Sequence, residues 1–334
     1  MNVHDPQALH ETLLRGTEPR CRYREGASPE EWRREARRTL IRLLGLEQIP
    51  ACRPEARVLD RREETDWDEF RLSLSTEPGY ESLLHLLLPK GVKCPPVVIC
   101  LQGHSTGMHI SLGRPKYPGD EEDIAGDRNY AIQAIKNGFA ALTVEQRAFG
   151  ECGGGPEGPL CRLPASTALL LGRTLIGERV RDIQCAIDFL RSGAFPVDGE
   201  RIAVTGNSGG GTASIYAAAA DERIGACMPS CAFTSFYASI GVSAHCFCNY
   251  IPGIARDFDM GDLCALIVPR PLIVIAGTKD TSFPLKEAKE QFVFTERVYS
   301  LLSASDRCRL IAGPERHRYY AALAWPAFHE ITGW

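Results

Sequence analysis

The sequence predicts an α/β fold with a mostly parallel central sheet and helices on both faces. Three observations predict it. Short, continuous apolar runs of strand length recur from about residue 70 to the end of the chain. Stretches with apolar residues at helical spacing alternate with them. The runs end in polar, Gly-bearing loops, the place where α/β sheets build their sites. With 334 residues the chain is long enough for one large domain or two modest ones. One domain over 1–334 is expected, with 1–50 as a helical, peripheral extension and 237–268 as an insert or lid.

The elements follow in order. Ser28-Pro29-Glu30-Glu31 reads as a helix start: an N-cap serine, a first-turn proline, then acids. That helix should run to Leu44 and stop at Gly45, with Trp32, Ala36, Leu40 and Leu43 on its buried side. "FRLSLS" and "ESLLHLLLPKG" predict two antiparallel strands joined at Pro78-Gly79. "PPVVICLQGH" and "FAALTVEQRAFG" read as buried parallel strands, separated by a helix over about 127–137. A long helix over about 177–191 carries Val180, Ile183, Ala186, Ile187 and Leu190 along one side. The strand Arg201–Thr205 and a helix after Ser208 come next. "IGACMPSCAF", "RPLIVIAGTKD" and "DRCRLIAGPERH" supply three more strands, and "WPAFHEI" a terminal helix. Segments 151–174 and 237–268 break the rhythm and should cover the strand ends.

Composition excludes several classes. A hydrophobic share of 44% and a charged share of 24% are ordinary for a globular chain. A net charge of −4 gives no sign of a nucleic-acid partner. The basic run Arg33 to Arg42 is interrupted by Glu35 and reads as a solvated helix face. No run of 18 apolar residues is present, and the opening "MNVHDPQALHETLLRG" lacks the apolar centre of a signal peptide. Thirteen scattered cysteines do not resemble a disulfide scaffold. A cytoplasmic, reduced protein with no membrane partner is expected; no oligomeric state can be read.

The chemistry points to "VTGNSGGG". A nucleophilic serine has to project from a tight strand-to-helix elbow, and glycines two before and two after it keep side chains from colliding. Gly206 and Gly210 hold those positions about Ser208. A turn built for packing or phosphate is the alternative; a phosphate loop would need a Lys-Ser or Lys-Thr pair, which is missing. Serine needs a base and an acid to orient it, in the order Ser, Asp or Glu, His. His317, just past the last strand, is the expected base, ahead of His329 in the terminal helix and the earlier His245. Asp280, at the end of "PLIVIAGTKD", is the expected acid, ahead of Asp257, Asp259, Asp262 and Glu315. The backbone N–H groups of Gly209 and His104 are expected to form the oxyanion hole. The His104 imidazole is read as loop-shaping, and His109 has no assigned role.

Other signals are set aside. His245-Cys246-Phe247-Cys248 lacks the spacing of a zinc site and Cys264 completes no pattern, so the cysteines are read as small apolar groups and no metal or cofactor is expected. Asp120-Glu121-Glu122-Asp123 is read as a solvated loop without calcium-loop spacing. Cys152, beside Gly153-Gly154-Gly155, has no base to pair with.

Taken together, "ICLQGHSTGMHISLG", "EQRAFGECGG", "LLLGRTLIGERVRDIQCAIDFL", "VTGNSGGG", "HCFCNYIPGIARDFDMGDLCALIVPRPLIVIAGTKD" and "GPERH" resemble the α/β-hydrolase superfamily. Within it they look like the acetyl xylan esterase-like and dienelactone hydrolase-like branch, over about residues 95–317. The resemblance implies an α/β-hydrolase fold with Ser208, Asp280 and His317 as a catalytic triad. It also implies a serine carboxylic-ester hydrolase acting on small-molecule or saccharide esters, an acetyl esterase of carbohydrates first. Glu145 stands where relatives often have Asp, and an ion pair between Glu145 and Arg147 is expected beside the site. A thioesterase or lactonase, an oligopeptidase-like peptidase and a non-catalytic binding protein of this fold are the alternatives. The peptidase would need a propeller, and the binding protein would be expected to lack a triad member.

Overall fold

The computed structural model describes residues 4–334, and every structural statement here concerns those residues. The first three residues of the opening stretch lie outside them. Nine strands form one sheet: β1 (Ala56–Glu63), β2 (Trp67–Glu77), β3 (Tyr80–Pro89), β4 (Pro96–Leu101), β5 (Ala140–Val144), β6 (Asp198–Asn207), β7 (Ala226–Ser230), β8 (Leu272–Gly277) and β9 (Cys308–Gly313). Their order is β1-β2-β3-β5-β4-β6-β7-β8-β9. The first three strands are antiparallel, β3 pairs antiparallel with β5, and β5 through β9 run parallel.

The apolar runs bury both faces of each central strand. On β4, Val97, Ile99 and Leu101 enter one core while Val98 and Cys100 enter the other. On β8, Leu272 and Val274 divide from Ile273 and Ile275 in the same way. This period of two, apolar on both sides, is what a doubly covered parallel sheet requires.

The helices are α1 (Pro6–Arg15), α2 (Pro29–Leu44), α3 (Asp120–Asp123), α4 (Tyr130–Lys136), α5 (Arg162–Leu170), α6 (Leu175–Arg191), α7 (Gly209–Ala220), α8 (Ile254–Asp257), α9 (Met260–Ala265), α10 (Leu285–Leu301) and α11 (Ala321–Thr332). The larger core draws on α2, α6, α7, α9 and α10; the smaller lies under α4 and α11. No helix is long and apolar enough to cross a membrane.

Helix α2 starts and stops where its caps demand. Ser28 Oγ accepts from Glu31 N at 3.3 Å, and Gly45 closes the helix at φ 74°. It buries Ala36, Leu40 and Leu44, with Trp32 and Leu43 only partly covered. Because Leu40 and Leu44 enter the core shared with α6 and α7, this part of the extension is not peripheral.

β1, α10 and α3 are not among the expected elements. Edge strand β1 is exposed at every residue and charged, so it has no buried face to produce an alternation. Helix α10 buries Ala288, Phe292, Thr295, Val298 and Tyr299, a helical spacing diluted by exposed residues such as Val293. Asp120 also departs from expectation. It begins α3 and is buried, accepting from Lys116 N and Tyr117 N, both at 2.8 Å, and contacting His109 Nε2 at 2.8 Å.

The expected Glu145–Arg147 ion pair does not form; the two side chains serve separate networks. Arg147, buried past the end of β5, binds Asp182 of α6 through Nε and Nη2, both at 2.9 Å, and Glu77 of β2 at 3.0 Å. Arg173 joins Glu77 at 2.7 and 2.6 Å, and Thr76 Oγ1 donates to Asp182 at 2.6 Å. Glu145 instead accepts from Met108 N at 3.1 Å, Glu151 N at 3.4 Å and the Gln102 side-chain amide. Burial pushes its carboxyl up to about 7, against the Met108 and Glu151 N–H donors that favour the ionised form. A neutral Glu145 would donate to Gln102 Oε1 once that amide is turned, satisfying an oxygen otherwise buried without a partner.

Arg147→Ala leaves Asp182 buried and uncompensated, and should cost about 3–5 kcal/mol in urea unfolding; a loss under about 1 kcal/mol would contradict the network. For Glu145 the folded value near 7 exceeds the ordinary 4.5, so the folded chain holds a proton that the unfolded chain releases. Stability should therefore be lost as pH rises from about 4.5 to about 7, by an amount on the order of 3 kcal/mol. Glu145→Gln should flatten that slope, and the same slope in the variant would show that the carboxyl is not its source.

Candidate active site

The centre of the site is the joint between β6 and α7. Ser208 stands there at φ 55° and ψ −123°, a conformation that costs a non-glycine residue energy. It holds because the joint is pressed against the end of β4. A Cβ on Gly206 would lie 2.3 Å from Leu101 O, and one on Gly210 would lie 1.9 Å from the same oxygen. Neither position accepts any other residue without moving the strand. The backbone is fastened on the far side too, where Ser208 N donates to Ser230 O of β7 at 2.9 Å. Ser208 is thus fixed half-buried at the start of α7, where helix N–H groups and the positive end of the helix point outward.

His317 and Asp280 come together as expected. The His317 Nδ1 to Asp280 Oδ2 distance is 2.8 Å, with the Asp280 carboxylate sealed from solvent and the imidazole 26% exposed. Asp280 Oδ1 accepts from Ser282 N at 2.8 Å and Phe283 N at 3.1 Å. Burial alone would raise this carboxyl; the His317 hydrogen bond and charge and the two N–H donors outweigh it, and the carboxyl lies below its ordinary value. Nδ1–H therefore donates to a carboxylate, leaving Nε2 free to act as base. No hydrogen bond joins Ser208 Oγ to His317 among the described residues, a looseness common in sites without substrate.

The loop that carries His317 is held by neighbours distant in sequence. Arg128 Nη2 donates to His317 O at 3.1 Å, and Ser230 Oγ to Arg318 O at 3.1 Å. Phe283 stacks on the His317 ring at 6.0 Å between centroids. Arg128 and Phe283 carry no signal of this role in the sequence; they reach His317 only through the fold.

The other candidates lie elsewhere or do other work. His329 is occupied by Trp334 O at 2.6 Å and Asn137 Oδ1 at 3.0 Å. Asp257 and Asp262 bind Arg20 and Arg22 of the N-terminal extension, and Asp259 caps α9. His109 is tied to Thr106 and Asp120. His245 contacts Ser239 Oγ at 3.0 Å, and its ring meets Phe283 edge-on. Burial first, then the nearby His104 and His317, hold the His245 imidazole below its ordinary value.

A cavity of about 480 Å³ opens over Ser208. His104, Gly209 and Thr212 line it with the serine, and Ser243, His245, Asn249 and Ser282 add polar groups. The His104 ring packs against Gly209, where a Cβ would come within 2.7 Å of Nδ1, and its Nε2 lies 3.1 Å from Cys248 Sγ. The site therefore offers a strained serine, an oriented imidazole and two loop backbones beside a polar cavity.

No protein-family model matches the chain. Its sequence is 26% identical over 309 residues to a Bacillus subtilis (strain 168) protein named "Putative hydrolase YtaP", covering 90% of this chain and 99% of that one. Among solved structures it resembles one from Bacteroides fragilis described as a "putative acetyl xylan esterase". That match has a TM-score of 0.78 and 17% identity, and covers 97% of this chain and 84% of the other. It also resembles a glucuronoyl esterase from Solibacter usitatus, with a TM-score of 0.66 and 16% identity over 95% and 97% of the two chains. With the strand order and the elbow described above, these likenesses give this chain the α/β-hydrolase fold.

Proposed function

We propose that this chain is a serine carboxylic-ester hydrolase that works through an acyl-enzyme on Ser208. The observation that carries the proposal is the 2.8 Å contact between His317 Nδ1 and the buried Asp280 carboxylate, beside the cavity into which the elbow presents Ser208. His317 Nε2 takes the Ser208 proton as Oγ attacks the ester carbonyl carbon. Negative charge then develops on the carbonyl oxygen, and the Gly209 and His104 backbone N–H groups receive it. Collapse of the tetrahedral species expels the alcohol, which takes its proton from His317. Water, deprotonated by the same imidazole, next attacks the acyl-serine and releases the acid.

The cavity favours a polar ester of modest size. Ser243, Asn249, Thr281 and Ser282 offer hydroxyl and amide partners to an alcohol such as a sugar. Acetyl xylan and glucuronoyl esterases among the structural likenesses support a saccharide ester, with acetyl as the first acyl group to try. None of the thirteen cysteines is paired in a disulfide, which supports a reducing, cytoplasmic setting. Segment 237–268 supplies Ser243, Ala244, His245, Cys246 and Asn249 to the cavity, and we assign it the role of a lid.

An acyl-ester panel from acetyl to decanoyl, with acetylated xylo-oligosaccharides alongside, tests this reading. Ser208→Ala should lower kcat by at least about three orders of magnitude, and Asp280→Asn by a comparable factor with the fold intact. Turnover of Ser208→Ala at the wild-type rate would end the proposal. The kcat/KM values should be highest for the shortest acyl groups, whereas a rise toward decanoyl would overturn the substrate assignment.

A further inference from the structure

Behind the oxyanion loop lies a second cluster that the esterase chemistry does not use. His104, Cys161, Cys246 and Cys248 each place one ligand atom there, and all four atoms lie within 4.8 Å of one another. They come from three separate parts of the chain: the loop after β4, the N-cap of α5, and the 237–268 insert. The pattern could not be read from the sequence, because His104 and Cys161 stand far from the Cys246-Phe247-Cys248 pair. His245, the neighbour that sequence spacing suggests, points instead to Ser239 and Phe283.

We propose that these four side chains form a closed, structural zinc site that clamps the insert and α5 to the oxyanion loop. Three thiolates and one imidazole are a soft donor set of the kind that holds zinc tetrahedrally. Zinc bonds of about 2.3 Å to sulfur and about 2.0 Å to nitrogen make tetrahedron edges of roughly 3.5–3.8 Å, so the cluster closes by side-chain shifts of about an ångström. Four protein ligands fill the tetrahedron and leave no open position for a substrate, although His104 and Cys246 also border the cavity over Ser208.

Arg179 of α6 is 1% exposed and makes no ion pair with a carboxylate among the described residues. Its Nη2 lies 3.2 Å from Cys161 Sγ and 2.8 Å from Arg147 O, and its Nη1 is buried without a partner. A buried guanidinium needs an opposing charge. Neutral thiols supply none. A zinc ion with three thiolates and a neutral imidazole carries one negative charge, which Arg179 would balance. Binding would release three thiol protons to solvent and move no electrons.

The metal would act by position rather than by chemistry. With Nε2 on zinc, the His104 ring is fixed against Gly209, and the loop whose backbone faces the nascent oxyanion is fixed with it.

The test is metal analysis of the full chain, purified with reductant, supplied with zinc and dialysed. One zinc per chain is expected in the wild type and in the exposed-cysteine control Cys94→Ser, with loss of the metal in Cys161→Ser and Cys248→Ser. Circular dichroism establishes that the variants fold. The wild type alone gives a second readout, because cobalt in place of zinc should show thiolate-to-cobalt charge-transfer bands and the visible bands of a tetrahedral ion. Substoichiometric zinc in the wild type, retention of zinc in both cysteine variants, or a disulfide re-forming within the cluster without cobalt bands would each overturn the proposal.

Discussion

The site depends on one close approach. The start of α7 lies so near the end of β4 that Gly206 and Gly210 have no room for a side chain against Leu101 O. That contact forces the turn between them, and the turn holds Ser208 at positive φ. A looser joint would let the serine relax into an ordinary helix cap. Its hydroxyl would then no longer be held over the cavity beside the first N–H groups of α7. The energy cost of the strained residue is met by packing on both sides, from β4 and from β7.

The parallel strands bring everything else to the same edge. β8 ends before Asp280 and β9 before His317, so a register of paired strands sets the separation of the two side chains. The carboxylate is then tuned locally, by burial on one hand and by His317 and two backbone donors on the other. Glu145 and Arg147 act one layer back. One gathers the loops after β4 and β5, and the other ties β5 to β2 and α6. The loop after β4 carries both Gln102, held by Glu145, and His104 of the cysteine cluster, so it is fastened at two points.

Much of this was legible in the sequence because it is local. The elbow is written in five consecutive residues, and the buried strands in unbroken apolar runs. Asp280 and His317 follow from their places at strand ends. What escaped was either diluted or distributed. β1 has no buried face, and the burying residues of α10 are interleaved with charges. The expected Glu145–Arg147 pair fails because each side chain, past the end of β5, meets partners from distant segments. Phe283, Arg128 and Cys161 reach their positions only when strands and helices far apart in sequence assemble.

The account stands or falls on which atom carries the acyl group. The most direct measurement is mass spectrometry of the full chain after reaction with a fluorophosphonate, with the adduct located by peptide mapping. The account predicts a single phosphonyl adduct on Ser208, suppressed by prior occupancy with an ester and absent from His317→Ala. An adduct on another residue, or ester turnover that continues after Ser208 is fully modified, would contradict it.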